Sequence, residues 1–157
     1  MVVASRHPLQ LIDAIGSPDL PEKNFVTVDT DIPDLGTIRV IGVVVRYAQK
    51  TEYIRALPDA LNQLVTPRTV LAGDFNLTML KGTDLERRLA EVLSDVGLRV
   101  HTARQWPALA GERPLIDHIA FGRNFICRDV AVWPRLDQQR GQPMTDHAGA
   151  SVNVTLS

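Results

Sequence analysis

Cysteine is nearly absent from this sequence, and Cys127 is the only one. No intrachain disulfide can form, and a cysteine-based zinc site is argued against; a reducing compartment fits. Aromatic residues are scarce at 5%, so Val, Leu, Ile and Ala must fill most of the core. There is no excess of one charge: the formal net charge is -1. That argues against a strongly basic surface drawing nucleic acid from a distance. It leaves room for a nuclease, because a bound divalent cation supplies positive charge locally. Long apolar runs are missing too. Val43-Val44-Val45 is among the longest, far short of a membrane span. Met1 to Pro8 has no basic region leading into an apolar stretch, so a secretory signal is not expected and the cytoplasm is the expected location.

What is present suits one domain over residues 1–157: 45% hydrophobic and 22% charged residues, with no repeat or low-complexity segment. Val2 to Ala4 reads as an abrupt short strand stopped at Pro8. Phe25 to Val28 and Ile38 to Val45 are β-prone, with a turn at Asp34-Leu35-Gly36 between them. Ile38 to Val45 is apolar at successive positions and should be buried on both faces. Ile54, Leu57, Leu61, Leu64 and Val65 make a helical stripe. Pro58 within it predicts a kink, or a helix starting near Pro58, and Pro67 ends the segment. Thr69 to Ala72 is a short strand. A second helix starts at Thr83, where Thr83 and Glu86 match a capping box, and Gly97 supplies a left-handed stop. Strand patterns return at Leu115 to Phe121, Ile126 to Trp133 and Ala150 to Leu156. Interleaved strands and helices predict an α/β or α+β class with a mixed sheet.

Three apolar strands end in polar clusters: Gly73-Asp74-Phe75-Asn76, Ile116-Asp117-His118-Ile119 and Thr145-Asp146-His147. Strand ends that converge at one sheet edge are where such folds build sites. Asp and Asn oxygens suit hard cations such as Mg²⁺ or Mn²⁺. An Asp–His pair suits general-base or electrostatic work, since the carboxylate fixes the imidazole tautomer. These are the parts that hydrolysis of a phosphodiester needs: a positioned water, a base, and charge on the non-bridging oxygens.

The ordered trio resembles three motifs of the endonuclease/exonuclease/phosphatase superfamily. The resemblance runs over essentially the whole chain. It implies a partial four-layer α/β sandwich of the deoxyribonuclease-like type, with mixed, largely antiparallel sheets and the N-terminal strands missing. It implies a Mg²⁺- or Mn²⁺-dependent hydrolase of phosphoesters, with nucleic acid among the possible substrates. By this resemblance Asp74 activates or orients the attacking water and contacts a metal. Asn76 stabilises the transition state beside it and belongs with the metal set. Asp146 is a metal ligand, His147 contacts the scissile phosphate or acts as base, and Asp117 holds His147.

Two departures from the family pattern stand out. Relatives place an Asn and a metal-binding Glu ahead of these motifs, and nothing matching precedes Asp74; Glu22, Asp29 and Asp31 sit in the wrong context. The single domain is therefore expected to be truncated at its N-terminus, weakly active or inactive alone, and prone to self-association through an uncovered sheet. Many relatives also carry a His near the end of the strand Ile38 to Val45. Here that place falls at about Val44, and Arg46 is the substitute candidate for binding substrate charge.

Plainer readings stand beside these. Asp74 can cap a turn, and Asn76 can fill a left-handed position. His118, next to Asp117 on a strand, points to the opposite face and reads as a packed structural residue. His7 and His101 read as non-functional. Arg123, Arg128, Arg135 and Arg140 read as a solvated face, and Trp106 and Trp133 as core or rim packing. The competing functions are a degenerate, non-catalytic binding or assembly domain, and a phosphatase or lipid phosphodiesterase in place of a nuclease.

Overall fold

A computed structural model describes residues 3–12, 25–105, 112–137 and 139–157. Val2, Glu22 and Trp106 lie outside the described residues. Eight strands and two helices follow in order: β1 (Leu9–Ile12), β2 (Phe25–Ile32), β3 (Gly36–Val44), α1 (Lys50–Leu64), β4 (Thr69–Asp74), α2 (Asp84–Asp95), β5 (Leu98–Val100), β6 (Asp117–Gly122), β7 (Phe125–Trp133) and β8 (Gly149–Leu156). A short 3₁₀ turn, Tyr47–Gln49, leads into α1. Six strands form one sheet in the order β1-β2-β3-β4-β6-β5, and β7 and β8 pair separately. Only β3 and β4 run parallel, because α1 carries the chain back between them; every other pairing is antiparallel.

Strand alternation divides the core in two. Ile41 and Val43 of β3, Leu71 of β4 and Ala120 of β6 pack with Ile54, Leu57, Leu61, Leu89, Val92 and Leu93 of the two helices. Ile38 and Val40, Val70, and Ile119 and Phe121 of the same strands pack instead with Phe125, Val152, Val154 and Leu156 of β7 and β8. Side chains one residue apart point to opposite faces, so the helices cover one side of the sheet and the β7–β8 pair the other. The expectation that Ile38 to Val45 is buried on both faces follows directly. These are three layers among the described residues.

The helices form for the reasons their sequences suggest, with one correction. α1 begins at Lys50 and carries Pro58 inside it. A start at Pro58 does not occur, because the apolar face already opens with buried Tyr53 and Ile54, ahead of the proline. α2 has the full capping box: Thr83 Oγ1 accepts from Glu86 N at 3.3 Å, and Glu86 accepts from Thr83 N at 3.0 Å. The other Glu86 oxygen accepts from Thr78 Oγ1 at 2.8 Å, which ties down the loop after Asn76. Burial pushes the Glu86 carboxyl up, but the hydrogen bonds from Thr83, Thr78 and Leu80 outweigh it and hold it below its ordinary value. Thr83→Ala should cost about 1 kcal/mol and lower Tm by roughly 2–4 °C. A thermal melt unchanged by this substitution would show that the cap contributes nothing.

The sequence reading missed β1 and β5. β1 lies nine residues into the chain, after the stretch read as a strand, and carries exposed Leu9 and Leu11 at the sheet edge. β5 is three residues long, too short for alternation to register. Among the described residues no helix is long and apolar enough to cross a membrane.

Candidate active site

The site forms at the end of the sheet where β3 and β4 stop and β6 starts. Val44, Asp74 and Asp117 stand side by side across the three strands as register partners. Val44, the position where a His was sought by resemblance, therefore does border the site. Backbone bonds continue the row beyond the strands: Val45 N donates to Asp74 O at 2.7 Å, and Phe75 N to Ile116 O at 3.0 Å.

Asp74 and Asn76 lock each other. Asn76 adopts a left-handed φ of 51°, a conformation that a short amide side chain tolerates. Its backbone N donates to Asp74 Oδ1 at 2.7 Å, and its Nδ2 donates to Asp74 Oδ2 at 2.9 Å and to Val45 O at 2.8 Å. The left-handed turn position and the bonds to Asp74 thus coincide in one residue. Asn76 directs its NH₂ at Asp74 and Val45, which leaves its amide oxygen for other partners.

Asp117 and His147 meet at 2.9 Å, Oδ2 to Nδ1. With Nδ1 bonded to a carboxylate, that nitrogen carries the proton and Nε2 is left as the basic one. Burial pushes the Asp117 carboxyl up; His147 pulls it down by charge, Asp74 pushes it up, the His147 hydrogen bond lowers it, and Asp146 raises it, with a net upward shift. One donor atom each from Asp74, Asp117 and His147 lies within 4.8 Å of the others. Asp146 flanks this group: its side chain is 90% exposed, with Oδ2 3.7 Å from His147 Nε2.

Arg46 is exposed and follows Val45 directly, so it sits at the rim. Lys50, not singled out in the sequence, reaches the same rim. Its Nζ donates to Asn76 O at 3.1 Å and lies 3.9 Å from the centre of the exposed Tyr47 ring. A lysine in the first turn of a helix carried no sequence signal for this. Asp29 is engaged elsewhere, in a 2.8 Å ion pair with Arg39, and Asp31 accepts from Thr37.

His118 is buried on the other face of β6, as alternation suggests. Ile119 N donates to Thr102 Oγ1 at 2.9 Å, and His118 Nε2 lies 2.8 Å from Leu77 O. A carbonyl only accepts, so Nε2 carries the proton. Nδ1, 3.2 Å from Thr102 Oγ1, then accepts from that hydroxyl. Burial holds His118 below its ordinary value despite the hydrogen bonds; burial and Arg99 do the same to His101. Both therefore take up a proton less readily in the folded chain than in the unfolded chain, where the ordinary value is 6.5. The unfolded state then binds more protons, so stability should fall as pH drops below about 6.5. Urea midpoints measured from neutral to mildly acid pH check this; a flat profile would contradict it.

The four arginines do not make one surface. Arg128 Nε donates to Thr155 Oγ1, Arg140 pairs loosely with Asp137, and Arg123 lines a cleft of about 670 Å³ with Arg99, His101 and Phe121. That cleft opens near Gly122, at the opposite end of β6 from Asp117. Arg135 departs from the expected solvated face, since it is mostly covered and paired with buried Glu112. Trp133 is half exposed and lies over Gly149, a rim position.

The sequence matches no family model and no curated protein. Solved structures do match, and they show the fold to be deoxyribonuclease-like. An endonuclease/exonuclease/phosphatase from Beutenbergia cavernae DSM 12333 superposes with a TM-score of 0.65 at 17% identity, covering 97% of this chain and 46% of its own. The chain thus spans about half the length of that structure. The endonuclease domain of TRAS1, a telomere-specific non-LTR retrotransposon, gives 0.64 at 17% identity over 96% of this chain and 69% of its own. An AP endonuclease from Archaeoglobus fulgidus gives 0.63 at 16% identity over 97% and 72%.

Proposed function

We propose that this chain carries the catalytic face of a phosphoester hydrolase that uses a divalent cation, Mg²⁺ or Mn²⁺. The observation that carries the reading is the Asp117–His147 pair at 2.9 Å, set beside Asp74 on the neighbouring strand. A carboxylate-rich donor set with one imidazole fits a hard cation or Mn²⁺. Asp74 would hold it, with the Asn76 amide oxygen and Asp146 as further ligands. A cation there would supply positive charge to the phosphoryl oxygens as bond order changes.

The chain's own groups do the rest. Asp117 keeps the proton of His147 on Nδ1 and stabilises the imidazolium when Nε2 takes a proton or bonds a phosphate oxygen. Asp74, fixed by two bonds from Asn76, orients the attacking water. Arg46 and Lys50 at the rim bring positive charge to a polyanionic substrate, which fits nucleic acid among the substrates. No glutamate of the described residues joins the cluster, so cation affinity and turnover should be weak.

Hydrolysis of bis(p-nitrophenyl) phosphate and nicking of supercoiled plasmid, each with Mg²⁺ or Mn²⁺ and with chelator, test the reading. Slow turnover that the chelator abolishes is the expected result. Turnover indifferent to chelator, or no cation binding by calorimetry at millimolar metal, would sink it.

A further inference from the structure

Glu112 is a buried carboxylate for which the chemistry above has no use. Its side chain is 0% exposed. Oε1 accepts from Leu136 N at 3.0 Å, while Oε2 lies 3.7 Å from Arg135 Nε. Both Oε2 and Nε are buried without a hydrogen-bond partner, so charge alone pairs them. An unneutralised carboxylate here would be strongly disfavoured, which fixes Arg135 opposite it.

The two chain segments that Glu112 joins are the two that carry the Asp–His pair. Glu112 stands five positions before Asp117. Arg135 and Leu136 open the loop that ends at His147. That loop is closed on itself: Met144 N donates to Arg135 O at 2.8 Å, Asp137 N to Gln142 O at 2.8 Å, and Leu136 bridges Pro143. Tying down its base therefore ties down Met144, three residues from His147. Glu112–Leu136 and Asp117–His147 are two rungs between the same pair of segments.

We propose that Glu112 is a positioning residue, whose buried Oε1 accepts from Leu136 N–H, holds Arg135 and Leu136 in place and so keeps His147 against Asp117. The inference rests on the functional reading for its importance, but its geometry can be tested without metal, substrate or turnover. Long-range ¹H–¹⁵N spectra of the histidine rings at mildly alkaline pH show which nitrogen carries the proton. In the wild type, His147 should be the Nδ1–H form and His118 the Nε2–H form. Glu112→Ala should release His147 to the Nε2–H preference of a free imidazole and leave His118 unchanged, since His118 reports the fold behind β6. Glu112→Gln keeps an acceptor for Leu136 N–H and should restore the Nδ1–H form. The proposal is overturned if His147 is unchanged in Glu112→Ala. It is equally overturned if both histidines change together in both variants, which would make Glu112 a general requirement of the fold. A chain that binds no metal would defeat the functional reading and leave these spectra as they are.

Discussion

His147→Ala is expected to lower metal-dependent hydrolysis of a phosphodiester by roughly 10²–10⁴-fold, the range typical for loss of a positioned acid–base group. The loss should fall mainly on kcat, because the imidazole acts on charge that develops during reaction. Asp117→Asn tests the same dyad from behind. An amide can offer Nδ1 either an N–H or an oxygen, so it loses the carboxylate's strict preference for the Nδ1–H form and its stabilisation of the imidazolium. Its rate should also drop, with His147 still in place. Asp146→Ala should abolish the residual activity if its carboxylate completes the cation site. Full rate in His147→Ala would mean that another site, or a contaminant, does the chemistry.

The candidate site was only partly legible from strand ends: Asp74 terminates β4 as expected, but Asp117 opens β6 and His147 lies in the loop before β8. Asp74 follows the run Val70-Leu71-Ala72-Gly73, and because β6 runs antiparallel to β4, Asp117 at its start falls opposite Asp74 and brings the two carboxylates to one edge. The pairing of Asp117 with His147 followed from the resemblance and not from spacing, since 30 residues separate them. Lys50 and Glu112 could not be found this way. Lys50 reaches Asn76 across 26 positions, and Glu112 reaches Leu136 across 24, each from a segment with no strand-end pattern. Arg135 was misread for the same reason: a count of arginines carries no information about a buried carboxylate elsewhere in the chain. The elements behaved alike. The capping box, the Gly97 stop and the turn at Asp34 to Gly36 are local and were readable, whereas β5 exists only because β6 is there to pair with it.

Gly73 links the fold and the site most tightly, and Gly73→Ala should cause the largest loss of stability. Gly73 stands in register with Val43 across the parallel β3–β4 pair. Its φ of 148° lies where side chains are strained, and a Cβ there would fall 1.9 Å from Val43 O and 2.9 Å from the Val43 carbonyl carbon. The obstacle is backbone in the middle of the sheet, between the two cores, so it cannot swing aside as a flexible side chain could. Two penalties therefore add at one residue, and a loss above about 4 kcal/mol is expected, near the limit for single substitutions. For a chain of this size that means a Tm lower by roughly 10 °C or more. Gly97→Ala is the matched control. It also has positive φ, at 80°, but nothing lies within 4 Å of its added Cβ, so only the conformational cost of about 1–2 kcal/mol applies. Relief of the clash at Gly73 would have to move Asp74, the next residue, so any folded Gly73→Ala protein should lose activity beyond its loss of stability. A melting point no lower than that of Gly97→Ala, with the rate retained, would show that β3 and β4 do not approach as closely as this register requires.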